Sequence, residues 1–139
     1  MEHDSHSDDE IRQIYKLKNI AVVGMSKTEG KAANYVPKYL MDRGYNVIPV
    51  NPNAAEIMGK KSYPLVSSVP DEIDIVDIFR PSADVSAVVK DVLRKEGIKV
   101  IWMQEGIYSQ EAEQMAKAKG IEVVYNRCMF AEHKRLFNE

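Results

Sequence analysis

The chain has 139 residues with 19 Lys+Arg against 21 Asp+Glu, and its formal charge of −2 supplies no basic field to draw in nucleic acid or an anionic membrane. At 15.8 kDa it can bury roughly two thirds of the surface its unfolded form exposes, so one unit spanning 1–139 with one core is expected. A single cysteine, Cys128, excludes an intramolecular disulfide framework, no apolar run reaches the roughly 18 to 20 residues of a membrane span, and the start MEHDSHSDDE is unlike a signal peptide, so a cytoplasmic location is expected.

Residues 1–7 are acidic and polar and read as a flexible tail. His3 and His6 fall within it, and two ligands on a flexible segment make no metal site. Ser7 followed three residues later by Glu10 has the spacing of a capping box and predicts a short helix from Asp8 to Lys16, with Ile11, Ile14 and Tyr15 facing the core. Apolar runs then alternate with helical periods: IAVV (20–23), a helix over Asn34 to Asp42, NVIPV (46–50), IDIVDIF (73–79), a helix over Ala83 to Lys95, KVIWM (99–103), a helix over Gln110 to Lys119, and EVVY (122–125). Gly44, Gly97 and Gly120 punctuate the helix ends, while Ser82 and Ser109 stand at N-cap positions. The stretch 51–70 is the least regular: AAEIM (54–58) predicts a single helical turn and KKSY (60–63) an edge strand.

Nearly continuous apolar strands are those of a parallel sheet covered on both faces. The pattern therefore predicts an α/β fold, Rossmann-like and doubly wound, with a mainly parallel five-stranded sheet and helices on both faces. In such a sheet a ligand sits beyond the carboxyl ends of the strands at the topological switch point, which directs attention to Gly24 after the first strand. A Walker A loop requires four residues between its glycines and a hydroxyl after its lysine. Here Gly24 and Gly30 enclose five residues, MSKTE, and Ala32 follows Lys31. The dinucleotide fingerprint fails as well, because Ser26 occupies its second glycine position, and strand two ends in Asn51 and Pro52 where an NAD site wants a carboxylate. What remains is a strand, a tight turn, a short serine and a helix start, with Lys27 and Lys31 adding positive charge. That set suits a pyrophosphate, and it equally describes an ordinary βα turn with two solvated lysines.

The segments VVGMS, YVPKYLMDRGYNVIPVNPN, GKKSYP, VPDEIDIVDIFR, VIWMQEGIYSQEA and NRCMFAEHKRL resemble, in order and spacing, the small stand-alone CoA-binding proteins. These are similar in fold to the CoA-binding N-terminal domain of succinyl-CoA synthetase α subunits. The resemblance covers roughly residues 11 to 137 and implies that the chain binds CoA or an acyl-CoA. It implies that the pyrophosphate lies against Gly24, Met25, Ser26 and Lys27 and that Asn51 and Pro52 border the nucleotide end. Phe79, Arg80 and Pro81 then wall the adenine or the pantetheine arm, and Gln104, Gly106, Ile107, Asn126 and Cys128 lie nearer the thiol. For the 3′-phosphate the candidate cations are Arg80, Lys27 and Lys31.

The residues also admit plainer roles. Phe79 fits core packing and Arg80 a surface ion pair, while Trp102, Met103 and Tyr108 fit either core or an interface. His133, in the terminal pattern AEHKRL, is expected on a helix surface or at a cap. Cys128 could serve as a nucleophile beside Arg127, meet the CoA sulfur as a mixed disulfide, or be a buried thiol. The synthetase's chemistry needs a phosphorylated histidine on a second domain and a partner subunit, so ligase activity by this chain alone is not expected. Two alternatives to a non-catalytic CoA-binding module stay open. One is a CoA-thioester enzyme or a ligase subunit that needs a partner chain; the other is an adenine-nucleotide sensor acting through 51–70.

Overall fold

Alternation along each strand decides which side of the sheet the neighbouring helices must cover. The computed structural model describes residues 1–137. In chain order the elements are α1 (Asp8–Ile14), β1 (Asn19–Val23), α2 (Ala32–Asp42), β2 (Asn46–Val50), a hairpin of β3 (Glu56–Ile57) and β4 (Lys60–Lys61), β5 (Ile75–Ile78), α3 (Val85–Val92), β6 (Val100–Met103), α4 (Gln110–Ala118), β7 (Glu122–Val124) and α5 (Met129–Phe137). Five strands form one parallel sheet in the order β2-β1-β5-β6-β7. The switch point, where successive crossovers leave in opposite directions, therefore lies between β1 and β5.

Ile20 and Val22 of β1, with Ile75 and Trp102, join a core built with Ile11 and Ile14 of α1, Val36 and Leu40 of α2, and Met129 and Leu136 of α5. Ala21 and Val23 point the other way and pack with Ile78, Val85 and Val89 of α3, and Ala112 and Ala116 of α4. Period-two strands thus feed two apolar layers, one on each face. The capping box of α1 forms as its spacing predicts: the Glu10 amide donates to Ser7 Oγ at 3.1 Å and the Ser7 amide to Glu10 Oε1 at 2.8 Å.

Several local expectations are corrected. Instead of a helical turn, AAEIM contributes Glu56 and Ile57 to a hairpin with KKSY, because Met58 and Gly59, both at positive φ, turn the chain back on itself. The hairpin itself is a separate two-stranded sheet, but KKSY also reaches the edge of the main one as expected: Tyr63 forms a parallel bridge with Val50 of β2, donating its amide to the Pro49 carbonyl at 3.1 Å and accepting the Asn51 amide at 2.8 Å. Helix α3 begins at Val85, behind a 3₁₀ turn over Ser82–Asp84, so Ser82 does not cap it; its hydroxyl accepts the Tyr108 amide at 3.1 Å instead. Ser109 does cap α4, accepting from the Ala112 amide at 3.2 Å. His133 is buried on the inner face of α5, with Nδ1 2.8 Å from the Tyr39 hydroxyl and its ring packed against those of Tyr15 and Phe137.

The N-terminal segment, read from composition as a flexible tail, runs along the end of β7. Asp4 is buried and pairs with buried Arg127, Nε to Oδ2 at 3.0 Å and Nη2 to Oδ1 at 3.0 Å, and it accepts the Tyr125 amide at 2.9 Å. Burial pushes the Asp4 carboxyl up, but the Arg127 hydrogen bonds and those from the Tyr125 and His6 amides outweigh it and hold it below the usual carboxylate range.

Candidate functional site

At the end of β1 the chain passes into Gly24 at φ +82°, its amide donating to the Val50 carbonyl at 2.9 Å. A Cβ placed on Gly24 would stand 2.5 Å from the Phe79 carbonyl oxygen and 3.3 Å from Arg80 Cδ. The glycine therefore lets the loops after β1 and β5 close on each other at the switch point. The space a side chain would invade there is filled by the backbone of Phe79.

The loop that follows is held from three sides. The Ser26 amide donates to the Ala33 carbonyl at 3.0 Å, Asn34 Nδ2 to the Ser26 carbonyl at 2.9 Å, and Asn51 Nδ2 to the Met25 carbonyl at 2.9 Å. Ser26 Oγ is taken by the Thr28 amide at 3.0 Å. Helix α2 opens with Lys31 as its N-cap and no side chain capping its first amides, so the positive end of the helix faces the loop unneutralised.

Two clefts open here and share Gly24, Asn51 and Asn53. One, about 430 Å³, is lined by Met25, Ser26, Lys27, Lys31, Ala33, Ala54 and Phe79; it is polar and cationic. The other, about 360 Å³, has Val23, Val50, Pro52, Pro64, Leu65, Val66, Ala87 and Val88 as apolar walls, with Arg80 and Asp91 at its edge. Arg80 is half exposed and donates to Asp84 Oδ2 at 2.9 Å, so it is both an ion-pair partner and a cleft residue. Phe79 likewise packs on the core while lining the cationic cleft.

Gly24, Met25, Ser26, Lys27, Lys31, Asn51, Pro52, Phe79 and Arg80 thus come together around the two clefts. Pro81, Gln104, Gly106, Ile107, Asn126 and Cys128 line neither. Gln104 is buried and its Oε1 accepts the Met129 amide at 3.2 Å; Ile107 packs on the second core layer; Gly106 donates to Asn126 Oδ1 at 2.6 Å. Asn126 also donates from Nδ2 to the Met1 and Glu2 carbonyls at 2.9 and 3.2 Å, so the N-terminal segment lies over this group. Half-buried Cys128 packs beside the first core layer, and the neighbouring Arg127 guanidinium is turned away into its pair with Asp4.

Sequence reasoning missed the wall formed by Pro64, Leu65 and Val66. Its one signal is an apolar run inside an irregular stretch, and only folding shows that Ser67, whose hydroxyl and amide both donate to Asp91, pins that stretch to α3. It also missed Asp77, which is fully buried on β5 with both carboxylate oxygens unpartnered among the described residues. Desolvation alone holds its carboxyl well above the usual range. Among the described residues no His, Cys, Asp and Glu cluster suits a metal ion, and no helix is long and apolar enough to cross a membrane.

Residues 18–134 match the family model described as the CoA binding domain. The chain is 37% identical to the Bacillus subtilis protein YneT over 125 residues, 89% of this chain and 92% of that one. It is 33% identical over 129 residues to the acetate–CoA ligase (ADP-forming) of Methanocaldococcus jannaschii, which covers 88% of this chain but 18% of the ligase. A solved protein from Pyrococcus horikoshii OT3 superposes with a TM-score of 0.90 at 39% identity, spanning 99% of each chain.

Proposed function

The chain belongs to the CoA-binding domain family, and from that we propose that it holds CoA or an acyl-CoA by its pyrophosphate at the loop after β1, without catalysis of its own. The observation that carries the reading is the junction of the two clefts at Gly24 and Asn51. A ligand with a diphosphate between an adenosine and a long arm needs a cationic seat beside an apolar one. The uncapped start of α2 with Lys27 and Lys31 supplies the first, and the wall of Leu65, Val66 and Val88 is wide and apolar enough for a purine. Lys27, Lys31 and Arg80 stand as the cations for the 3′-phosphate. The arm then leaves past Phe79 toward Gln104, Gly106, Asn126 and Cys128, the other group of residues the family resemblance points to.

Asn51 argues against NAD. Its amide nitrogen donates to the Met25 carbonyl and its Oδ1 accepts the Asn53 amide at 2.8 Å, so the end of β2 is engaged in shaping the loop and offers no carboxylate to ribose hydroxyls. The chain spans 16 to 21% of the length of the acetate–CoA ligase relatives it matches, so most of each of those chains lies outside the matched domain. Delivery or sensing of CoA for a partner protein is accordingly part of the proposal.

Isothermal titration with CoA, dephospho-CoA, ADP and NAD tests it. CoA should bind best, dephospho-CoA more weakly for loss of the 3′-phosphate, and NAD least. Equal affinity for NAD and CoA overturns the reading, and turnover of acetyl-CoA by the pure protein overturns its non-catalytic part.

A further inference from the structure

At the opposite end of the sheet, where Lys18 leads into β1 and Tyr45 into β2, the two ends of the chain build a second groove of about 680 Å³. Arg12, Gln13 and Lys16 come from α1 and the residues after it, and His133 and Phe137 from α5. Most of this lies at or beyond the limits of the matched family region, 18–134, so the groove is no part of the CoA clefts at the carboxyl ends of the strands.

Its chemistry is one-sided. Among the described residues three cations line it and no carboxylate does, in a chain whose net charge is −2. Lys16 and Lys18 are exposed and form no ion pair among the described residues, and the Lys18 ammonium lies 4.2 Å from the centre of the Tyr45 ring. Arg12 pairs with Asp9, whose side chain is 90% exposed, a pairing that water and salt weaken readily. The floor is aromatic: Tyr15 sits 5.8 Å from Phe137 and 6.4 Å from Tyr45, centre to centre, and Phe137 remains 40% exposed although it is large and apolar.

We infer that this groove docks a partner protein through an acidic segment carrying an aromatic side chain. The carboxylates would meet Arg12, Lys16 and Lys18 while the ring stacks against Phe137 and the Tyr45 edge, giving the apolar centre and charged rim of a peptide site. Complementary charge favours an acidic peptide over a neutral one. Nucleic acid is disfavoured because three cations in a short groove do not follow a phosphate backbone. The inference stands apart from CoA binding, since the two sites lie at opposite ends of the strands.

The test uses ¹⁵N-labelled full-length protein and an acetylated, amidated pentapeptide of two aspartates and two glutamates around a central phenylalanine. Its amide shifts should move at Arg12 to Lys18, Tyr45 and Phe137 and stay fixed at Gly24 to Lys31. Replacing the phenylalanine by alanine should weaken binding, and Lys16→Glu with Lys18→Glu should weaken it about tenfold while leaving CoA affinity and the circular dichroism unchanged. Absence of shifts at millimolar peptide, equal binding of the lysine-for-acid peptide, or equal displacement by inorganic pyrophosphate each overturns the inference.

Discussion

The Ser26 amide donates to the Ala33 carbonyl at 3.0 Å, a bond that exists because Pro37, one helical turn beyond Ala33, has no N–H to give. In an uninterrupted helix residue 37 would take that carbonyl. A proline inside α2, at first sight a helix defect, thus releases an acceptor that holds the proposed phosphate loop. Pro37→Ala should let the helical bond compete, raising or preserving helix content while weakening CoA binding severalfold. Calorimetry beside circular dichroism decides it, and unchanged affinity removes Pro37 from the site.

Gly24 and the lysines should separate stability from binding. Any side chain at residue 24 meets the Phe79 carbonyl and the positive φ together, so Gly24→Ala should lower stability by about 1 to 3 kcal/mol and weaken binding with it. Lys27→Ala and Lys31→Ala are changes at exposed positions and should weaken CoA binding with the unfolding midpoint unmoved. Denaturant titration and calorimetry on the three variants check this; a Gly24→Ala protein of wild-type stability would falsify the packing argument.

Asp4 should matter more than a terminal residue usually does. Asp4→Ala leaves the Arg127 guanidinium buried without its bidentate partner and should cost about 3 kcal/mol. The Asp4 carboxyl is held low in the folded chain, so its stabilising effect is present above the unfolded value and is lost as pH falls through the folded one. Urea unfolding at neutral pH and near pH 3 should show the variant losing less on acidification than the wild type.

Asp77 should act with the opposite sign. Its folded pKa is raised by burial, so its contribution is fully present below the unfolded value of 3.8 and is lost as pH rises toward the folded one. Compared with the wild type, Asp77→Asn should show a stability curve that falls less from pH 4 upward, by as much as about 1.4 kcal/mol per pH unit. Parallel curves for the two proteins over that range would show that the carboxyl gains a partner in solution.

Cys128 offers a test of the pantetheine path. With diamide as oxidant, the CoA thiol and Cys128 should each lose a proton and one electron to form a disulfide, the two electrons reducing diamide. Exchange proceeds through a thiolate, so formation should be faster at higher pH. Mass spectrometry should find the adduct in the wild type, not in Cys128→Ser, and reductant should remove it. A CoA-saturated protein that never forms it places the thiol outside the path.

Near-continuous apolar strands separated by helical periods determined, by themselves, a parallel sheet covered on both faces, and Ser7 with Glu10 determined where α1 begins. Those features are local or periodic, and backbone geometry converts them into structure wherever the chain goes. The loop after β1 was legible for the same reason: strand, glycine and lysines are neighbours in sequence. The tertiary structure alone decided what depends on residues far apart. Asp4 finds Arg127 across 123 positions, Ser67 fastens an irregular stretch to Asp91, and Gly24 owes its requirement to the backbone of Phe79. His133 shows the limit most directly. Composition marks a polar ring in a charged helix as a surface residue, but Tyr39, Tyr15 and Phe137 bury it, because which face of α5 turns inward is set by the layer it packs against.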